Sequence, residues 1–218
     1  MSLVLSWSGG KDSSLALWTL REEGIEPAAL LTTINEDYGR ISIHGVRREL
    51  LHAQAAAVGL PLVEVGIPTE CPNELYEERM AAALEKPPLA EADTFAFADL
   101  FLADIRAYRE ARLAPVGRKA IFPIWGRETA ALGRRFVEAG FGATLVVVDT
   151  DQLDASFVGR RFDAALLDDL PAGVDPCGEN GEFHTFVDSG PIFAAPLAVE
   201  LGELRDEGRF VYRDLRPA

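Results

Sequence analysis

Cysteine, histidine and lysine are scarce in this chain, and each scarcity removes a class of answers. Cys71 and Cys177 are the only cysteines in 218 residues. A chain of that length buries enough surface to fold without a disulfide, and the two are too isolated to form a Cys-x-x-Cys pair. With His44, His52 and His184 as the only histidines, a closed structural zinc site is not expected. No apolar run approaches the roughly 20 residues of a membrane-spanning helix. The start, Met1-Ser2-Leu3-Val4-Leu5-Ser6-Trp7, has neither the basic stretch nor the cleavage site of a secretory signal, so the expected address is the cytoplasm.

Positive charge is also in deficit, with a formal net charge of −14. Proteins that grip nucleic acid need a basic surface for the phosphates, so tRNA or DNA is disfavoured as the main substrate. Arg127, Arg134 and Arg135 could still form a local basic patch. Lysine occurs only as Lys11, Lys86 and Lys119. In a chain that nearly always chooses arginine, a lysine in a glycine-rich loop indicates a need for a compact ammonium.

What the chain does have is apolar residues, at 48%, enough for a core and too many for a disordered segment. In the first two thirds, short apolar runs alternate with helix-period segments, the pattern of a parallel sheet covered by helices. Strands are expected at 3–7, 28–33, 62–67, 94–98 and 120–124. Helices are expected at 13–23, 46–58, 73–84, 100–111 and 128–139. After Gly140 the texture changes to a β-branched run at 143–148, an Asp- and Gly-rich stretch, and short strands at 183–187 and 209–212. The expected fold is therefore α/β, a Rossmann-like parallel-sheet domain at 1–140 with a smaller C-terminal α+β domain at 141–218.

The segment Ser8-Gly9-Gly10-Lys11-Asp12-Ser13 stands between the first strand and the first helix. Two glycines let the backbone approach a ligand closely. The helix behind them directs free N–H groups and its positive dipole end at the loop, which makes an anion site. Lys11 supplies a charge for phosphate oxygens, Ser8 and Ser13 supply hydroxyls, and Asp12 can hold Mg²⁺. The glycine spacing fits neither the Walker loop nor the dinucleotide fingerprint.

This hexamer resembles the pyrophosphate loop of the N-type ATP pyrophosphatases, which implies cleavage of ATP to AMP and pyrophosphate with Mg²⁺. A second stretch, Asp175-Pro176-Cys177-Gly178-Glu179-Asn180-Gly181-Glu182-Phe183-His184-Thr185, resembles the signature of the diphthine–ammonia ligase family. The two motifs stand at opposite ends of the chain, so the resemblance covers nearly all of it. It implies an ATP-dependent, amide-forming ligase in which a carboxylate is adenylated and ammonia or an amine attacks. The acceptor carboxylate is open, and a protein-borne acceptor and a homodimer are both allowed.

On that resemblance Lys11, Glu179, Glu182 and His184 are expected to be catalytic, with Asn180 and Asp99 at the substrate. Physically, Gly178 and Gly181 permit tight turning, so Glu179, Asn180 and Glu182 can converge as proton acceptors or amine ligands, with His184 assisting proton transfer. A solvated turn is the ordinary fate of such a composition. Leu31, Thr32 and Thr33 lie where superfamily members hold adenine by backbone groups. His44 follows the second strand, on the edge where open α/β sheets bind ligands. Asp99 matches a family Gly-Asp pair, although Ala98 replaces the glycine; Trp125 matches the family's Pro-Leu-Trp segment. Arg106 and Arg127 could face the site, and nothing in the acidic surroundings of Cys177 would lower its pKa.

Two other functions fit part of these features. A tRNA-modifying ATP pyrophosphatase would share the loop but needs a nucleic-acid surface and usually paired cysteines. A non-catalytic ATP-binding sensor would keep Lys11 and Asp12 without needing the C-terminal carboxylates.

Overall fold

The structure is a computed structural model that describes residues 2–41 and 44–218. The first half builds a mostly parallel sheet from β1 (Leu3–Ser6), β2 (Ala29–Asn35), the short β3 (Arg40–Ile41), β4 (Leu62–Ile67), β5 (Thr94–Ala96) and β6 (Lys119–Ile121). Between them run the helices α1 (Lys11–Glu22), α2 (Arg48–Val58), α3 (Asn73–Leu84) and α4 (Ala103–Leu113). The parallel strands lie in the order β4-β2-β1-β5-β6, and β3 pairs antiparallel with the last two residues of β2. The chain thus winds outward from β1 through β2 to β4, then returns to β5 on the other side of β1. That reversal makes the C-terminal end of β1 a topological switch point, where such sheets open a crevice for ligands.

The second half has α5 (Thr129–Glu138), β7 (Gly142–Asp149), α6 (Ala164–Asp169), β8 (Phe183–Ser189), β9 (Val199–Glu207) and β10 (Phe210–Pro217). Its four strands form a separate antiparallel sheet in the order β8-β7-β10-β9. The fold is the expected one: a Rossmann-like parallel sheet followed by a smaller α+β unit. Gly142–Asp149 is buried over almost its whole length because it is central in its sheet, which accounts for its unbroken apolar sequence. No helix among the described residues is long and apolar enough to cross a membrane.

One large core joins the two sheets. It runs from Leu15, Leu17 and Leu20 of α1 through Leu50 and Leu51 of α2 to Phe162, Phe183 and Phe186 of the second half. The other face of the parallel sheet has a smaller core of its own, around Val4, Leu31, Val65 and Phe95. Helix α3 contributes no buried residue to it, and α4 contributes only Leu113.

Candidate active site

The loop after β1 begins where the Trp7 N–H makes the last rung to the Leu31 carbonyl, at 2.8 Å. Gly9 then turns with φ +75°, and a Cβ there would stand 2.6 Å from Gln54 Oε1. Gly10 is extended, but a Cβ would come within 3.1 Å of the Thr185 carbonyl oxygen and 3.3 Å of the His44 ring. Gly9 is therefore favoured by its backbone and by crowding, and Gly10 by a close approach that a Cβ would tighten. Helix α1 starts at Lys11, two residues earlier than its periodicity suggests, because the Ser13 and Ser14 hydroxyls donate to the Gly10 carbonyl (2.9 and 3.0 Å) and close the first turn. Ser8 Oγ lies 3.3 Å from both the Gly10 N–H nitrogen and Ser13 Oγ, which puts two hydroxyls at the helix mouth.

The second half of the chain holds this loop in place. The Lys11 N–H donates to Thr185 Oγ1 at 3.0 Å, and the Val187 N–H to the Gly9 carbonyl at 3.0 Å. Strand β8 is an edge of its sheet, and the loop satisfies donors an open edge would leave free. Gln54 completes the bracket from α2. Its amide donates to the Gly9 carbonyl at 2.9 Å and to the Val187 carbonyl, while its oxygen accepts from Trp7 Nε1 at 3.1 Å. Gln54 is fully buried and does not figure among the expected site residues. The sequence signal was its position: Leu50, Leu51, Ala55 and Val58 share its helix face, so a polar side chain sits at a core site.

Lys11 differs from its expected geometry. Its side chain is buried rather than open to a ligand, and its ammonium donates to both Asp12 oxygens (2.9 and 2.8 Å) and to the Cys177 carbonyl. The rings of Phe183 and Phe162 lie 5.5 and 5.9 Å from it. Burial alone would favour the neutral amine, but Asp12, Cys177 and Glu179 outweigh it, so Lys11 holds its proton more firmly than usual. Asp12 keeps its carboxylate on Lys11 with about a quarter of the side chain exposed. No cluster of three metal-ligating side chains occurs among the described residues. A Mg²⁺ ion on Asp12 would thus need most of its oxygens from a bound phosphate, the usual preference of that ion.

In the C-terminal loop the two glutamates have different surroundings. Glu182 is buried, and its carboxylate accepts from the Asp175 N–H (2.9 Å), the Asn180 N–H (3.0 Å) and Asn180 Nδ2 (3.0 Å). It ties its own loop together, and Asn180 lends its amide to the same task. Asp175 works alongside it, accepting from the Cys177 N–H at 2.8 Å and the Thr129 hydroxyl at 2.7 Å. Glu179 instead reaches across to the segment after β5, where among the described residues it accepts only the Leu100 N–H, at 2.7 Å. Burial pushes its pKa up to about 7; Asp12 and Asp99 add to the rise, while the Leu100 N–H and Lys11 oppose it. Glu179 is thus poised to change charge near neutral pH.

His44 and His184 stack with ring centroids 4.4 Å apart. Burial, with Lys11 nearby, lowers His184 to about 4, and burial plus His184 hold His44 well below the ordinary range. Both rings are neutral at pH 7. Asp99 is clamped by Arg109 at 2.6 and 3.1 Å, and that guanidinium lies over Phe97 at 4.3 Å. Arg106 packs over Phe122 and Trp125, whereas Arg127 is exposed. Cys177 is inert, its thiol pushed up to about 12 by burial.

Beside the loop opens a cavity of about 710 Å³. Ser8, Leu31, Thr32, Thr33 and His44, which lie at or beyond the ends of β1 and β2, are among its lining residues. Glu179 and Asp99 are not among its walls; Arg109 belongs to both places, lining the cavity and holding Asp99.

Comparison with known proteins matches both halves of the chain. Residues 1–118 match the diphthamide synthase N-terminal domain, and residues 128–214 match the diphthamide synthase C-terminal domain. No curated protein matches. Among solved structures, the predicted subunit of tRNA methyltransferase from Methanocaldococcus jannaschii is 19% identical, covering 88% of this chain and 98% of its own, with a TM-score of 0.44.

Proposed function

The chain belongs to the diphthamide synthase family, and from that premise we propose that it is an ATP-dependent amide-forming ligase that releases AMP and pyrophosphate. The observation that carries this reading is the junction of the two glycine-rich loops. Lys11 joins them through Asp12 on one side and the Cys177 carbonyl on the other. An anion seat and a glutamate with a pKa near 7 thereby become parts of one assembly.

In this account the unit at 1–140 binds ATP and the unit at 141–218 binds the substrate. Adenine sits against the backbone of Leu31–Thr33, and the phosphates lie over Gly9, Gly10 and the α1 N-terminus, with Ser8 donating and Ser13, whose hydroxyl is held by the Gly10 carbonyl, fixing the turn. Mg²⁺, held by Asp12 and the phosphates, would neutralise the leaving pyrophosphate. Lys11 fixes Asp12 and the C-terminal loop from below. The acceptor carboxylate attacks the α-phosphorus and pyrophosphate departs. Ammonia or an amine then attacks the acyl carbon, AMP leaves, and the surplus proton passes to Glu179. Glu182 and Asn180 position Glu179 by shaping its loop, and the neutral His44–His184 stack lines the approach.

The test is to incubate the chain with Mg·ATP, ammonium and a small-molecule extract of its source cells, and to follow phosphorus products by NMR. AMP and pyrophosphate that depend on the extract are expected. ADP and phosphate would contradict the reading, and ATP that is bound but left intact would favour a sensor.

A further inference from the structure

Helix α3 lays an apolar stripe along the smaller core, where Met80, Ala83 and Leu84 pack but stay only partly buried. Tyr76, Met80 and Leu84 recur at four-residue spacing on one face, yet no residue of the helix is buried. The stripe faces the inner part of the cavity, whose other wall is Phe95 of β5 and Leu113 of α4. Three arginines also line this space. Two are matched by carboxylates, Arg109 by Asp99 and Arg112 by Glu77. Arg118 is different. Its guanidinium lies 5.5 Å over the Phe95 ring and one nitrogen donates to the Leu84 carbonyl at 2.8 Å, but Nη1 is buried with no partner among the described residues. A buried guanidinium N–H without an acceptor is costly unless a ligand supplies one. In a chain with 35 acidic side chains, its lack of a carboxylate partner points to an anion from outside.

That anion is not a phosphate seated on the nucleotide loop. Arg118 immediately precedes β6, at the edge where the parallel strands begin, whereas the loop follows the end of β1. The two lie at opposite edges of the sheet. We propose that the inner cavity is a second binding site, for a small molecule with a flat apolar body and one anionic group. The body would lie between the α3 stripe and Phe95, and the anion would accept from Arg118 Nη1. A cavity of this size suits a drug-sized ligand with one or two polar anchors. The site stands apart from the proposed ligase chemistry, because it needs binding and no turnover.

1-Anilinonaphthalene-8-sulfonate has this chemistry, so it serves as the probe, titrated into the full chain by fluorescence with and without saturating Mg·ATP. Saturable binding of one probe per chain is expected, and ATP should not displace it. Arg118→Gln should weaken binding roughly tenfold, the effect of losing one charge-assisted hydrogen bond. Arg112→Gln, whose guanidinium is already engaged by Glu77, should change it by less than about twofold. Met80→Trp should abolish binding by filling the space, and Tyr76→Trp should do so from the neighbouring turn, each with an unchanged melting temperature as the check on folding. One-for-one competition by ATP would overturn the proposal by assigning the whole cavity to the nucleotide. Binding indifferent to Arg118 and to both tryptophans would overturn it equally.

Discussion

The two glycine-rich loops meet at Lys11, yet they use their charged side chains in opposite ways. In the loop at 8–13 Lys11 is buried beneath the turn with its ammonium on Asp12 and the Cys177 carbonyl, while Ser8 lines the cavity. In the loop at 175–184 the backbone N–H groups turn inward onto Glu182 and Asp175, which leaves Glu179 as the carboxylate that reaches outward. Similar composition therefore gives a buried, paired cation in one loop and a carboxyl with a raised pKa in the other. Charged residues within one motif are not equivalent, and the number of N–H donors each accepts tells them apart.

The sharpest way to break this contrast is Lys11→Ala. It leaves Asp12 and the Cys177 carbonyl without their cation, and removing one partner of a buried pair costs about 3–5 kcal/mol. Urea denaturation should register that loss, and AMP formation should cease. Next is Gln54→Ala, which strips partners from the Gly9 and Val187 carbonyls and from Trp7 Nε1. The Gly9 carbonyl keeps the Val187 N–H, so at ~1 kcal/mol or more for each of the two groups that lose a partner outright, a loss of about 2 kcal/mol is expected. Because the loop itself loosens, the Kd for ATP should rise alongside.

The two glutamates should separate in a paired experiment. Glu182→Gln turns an amide toward N–H groups that need an acceptor, and should destabilise the fold by about 2 kcal/mol. Glu179→Gln, which stands in for the protonated acid, should match the parent at acid pH and be the more stable of the two at neutral pH. A carboxyl that titrates at 4.5 unfolded and at about 7 folded holds its proton longer in the native state. Its contribution is greatest below pH 4.5 and declines as pH rises to 7. Glu179→Gln should flatten that decline, as seen in denaturation midpoints across the range. The smallest effect is expected far from both loops: Leu204→Ser, on the exposed edge strand β9, should change stability by less than about 0.5 kcal/mol.

How much of this was readable beforehand depended on whether the cause was local. The inner strands β1, β2 and β5 were legible because burial on both faces demands apolar runs, and 62–67 and 73–84 match β4 and α3 residue for residue. Strand β9 was not. Its sequence VELGELRDE is charged because it is an exposed edge, paired only through β10, and carries little hydrophobic signal. The six-residue helix α6 escaped for a similar reason, being too short to show a period. The turn from β1 into α1 could be read from six consecutive residues. The burial of Lys11 could not, because Phe162 and Phe183 cover it from more than 150 positions away in the chain. Glu179 and Glu182 were readable as a pair but not as different, since only the folded loop shows which one its N–H groups enclose.

The central claim is that the first loop binds ATP while Glu179 acts on the chemistry. The most direct measurement is the ATP dissociation constant and the rate of AMP formation, for the unaltered chain and Glu179→Gln side by side. The account predicts an unchanged dissociation constant, with AMP formation reduced by about a hundredfold or more, the usual contribution of a positioned proton acceptor. Equal rates of AMP formation in the two proteins would contradict it.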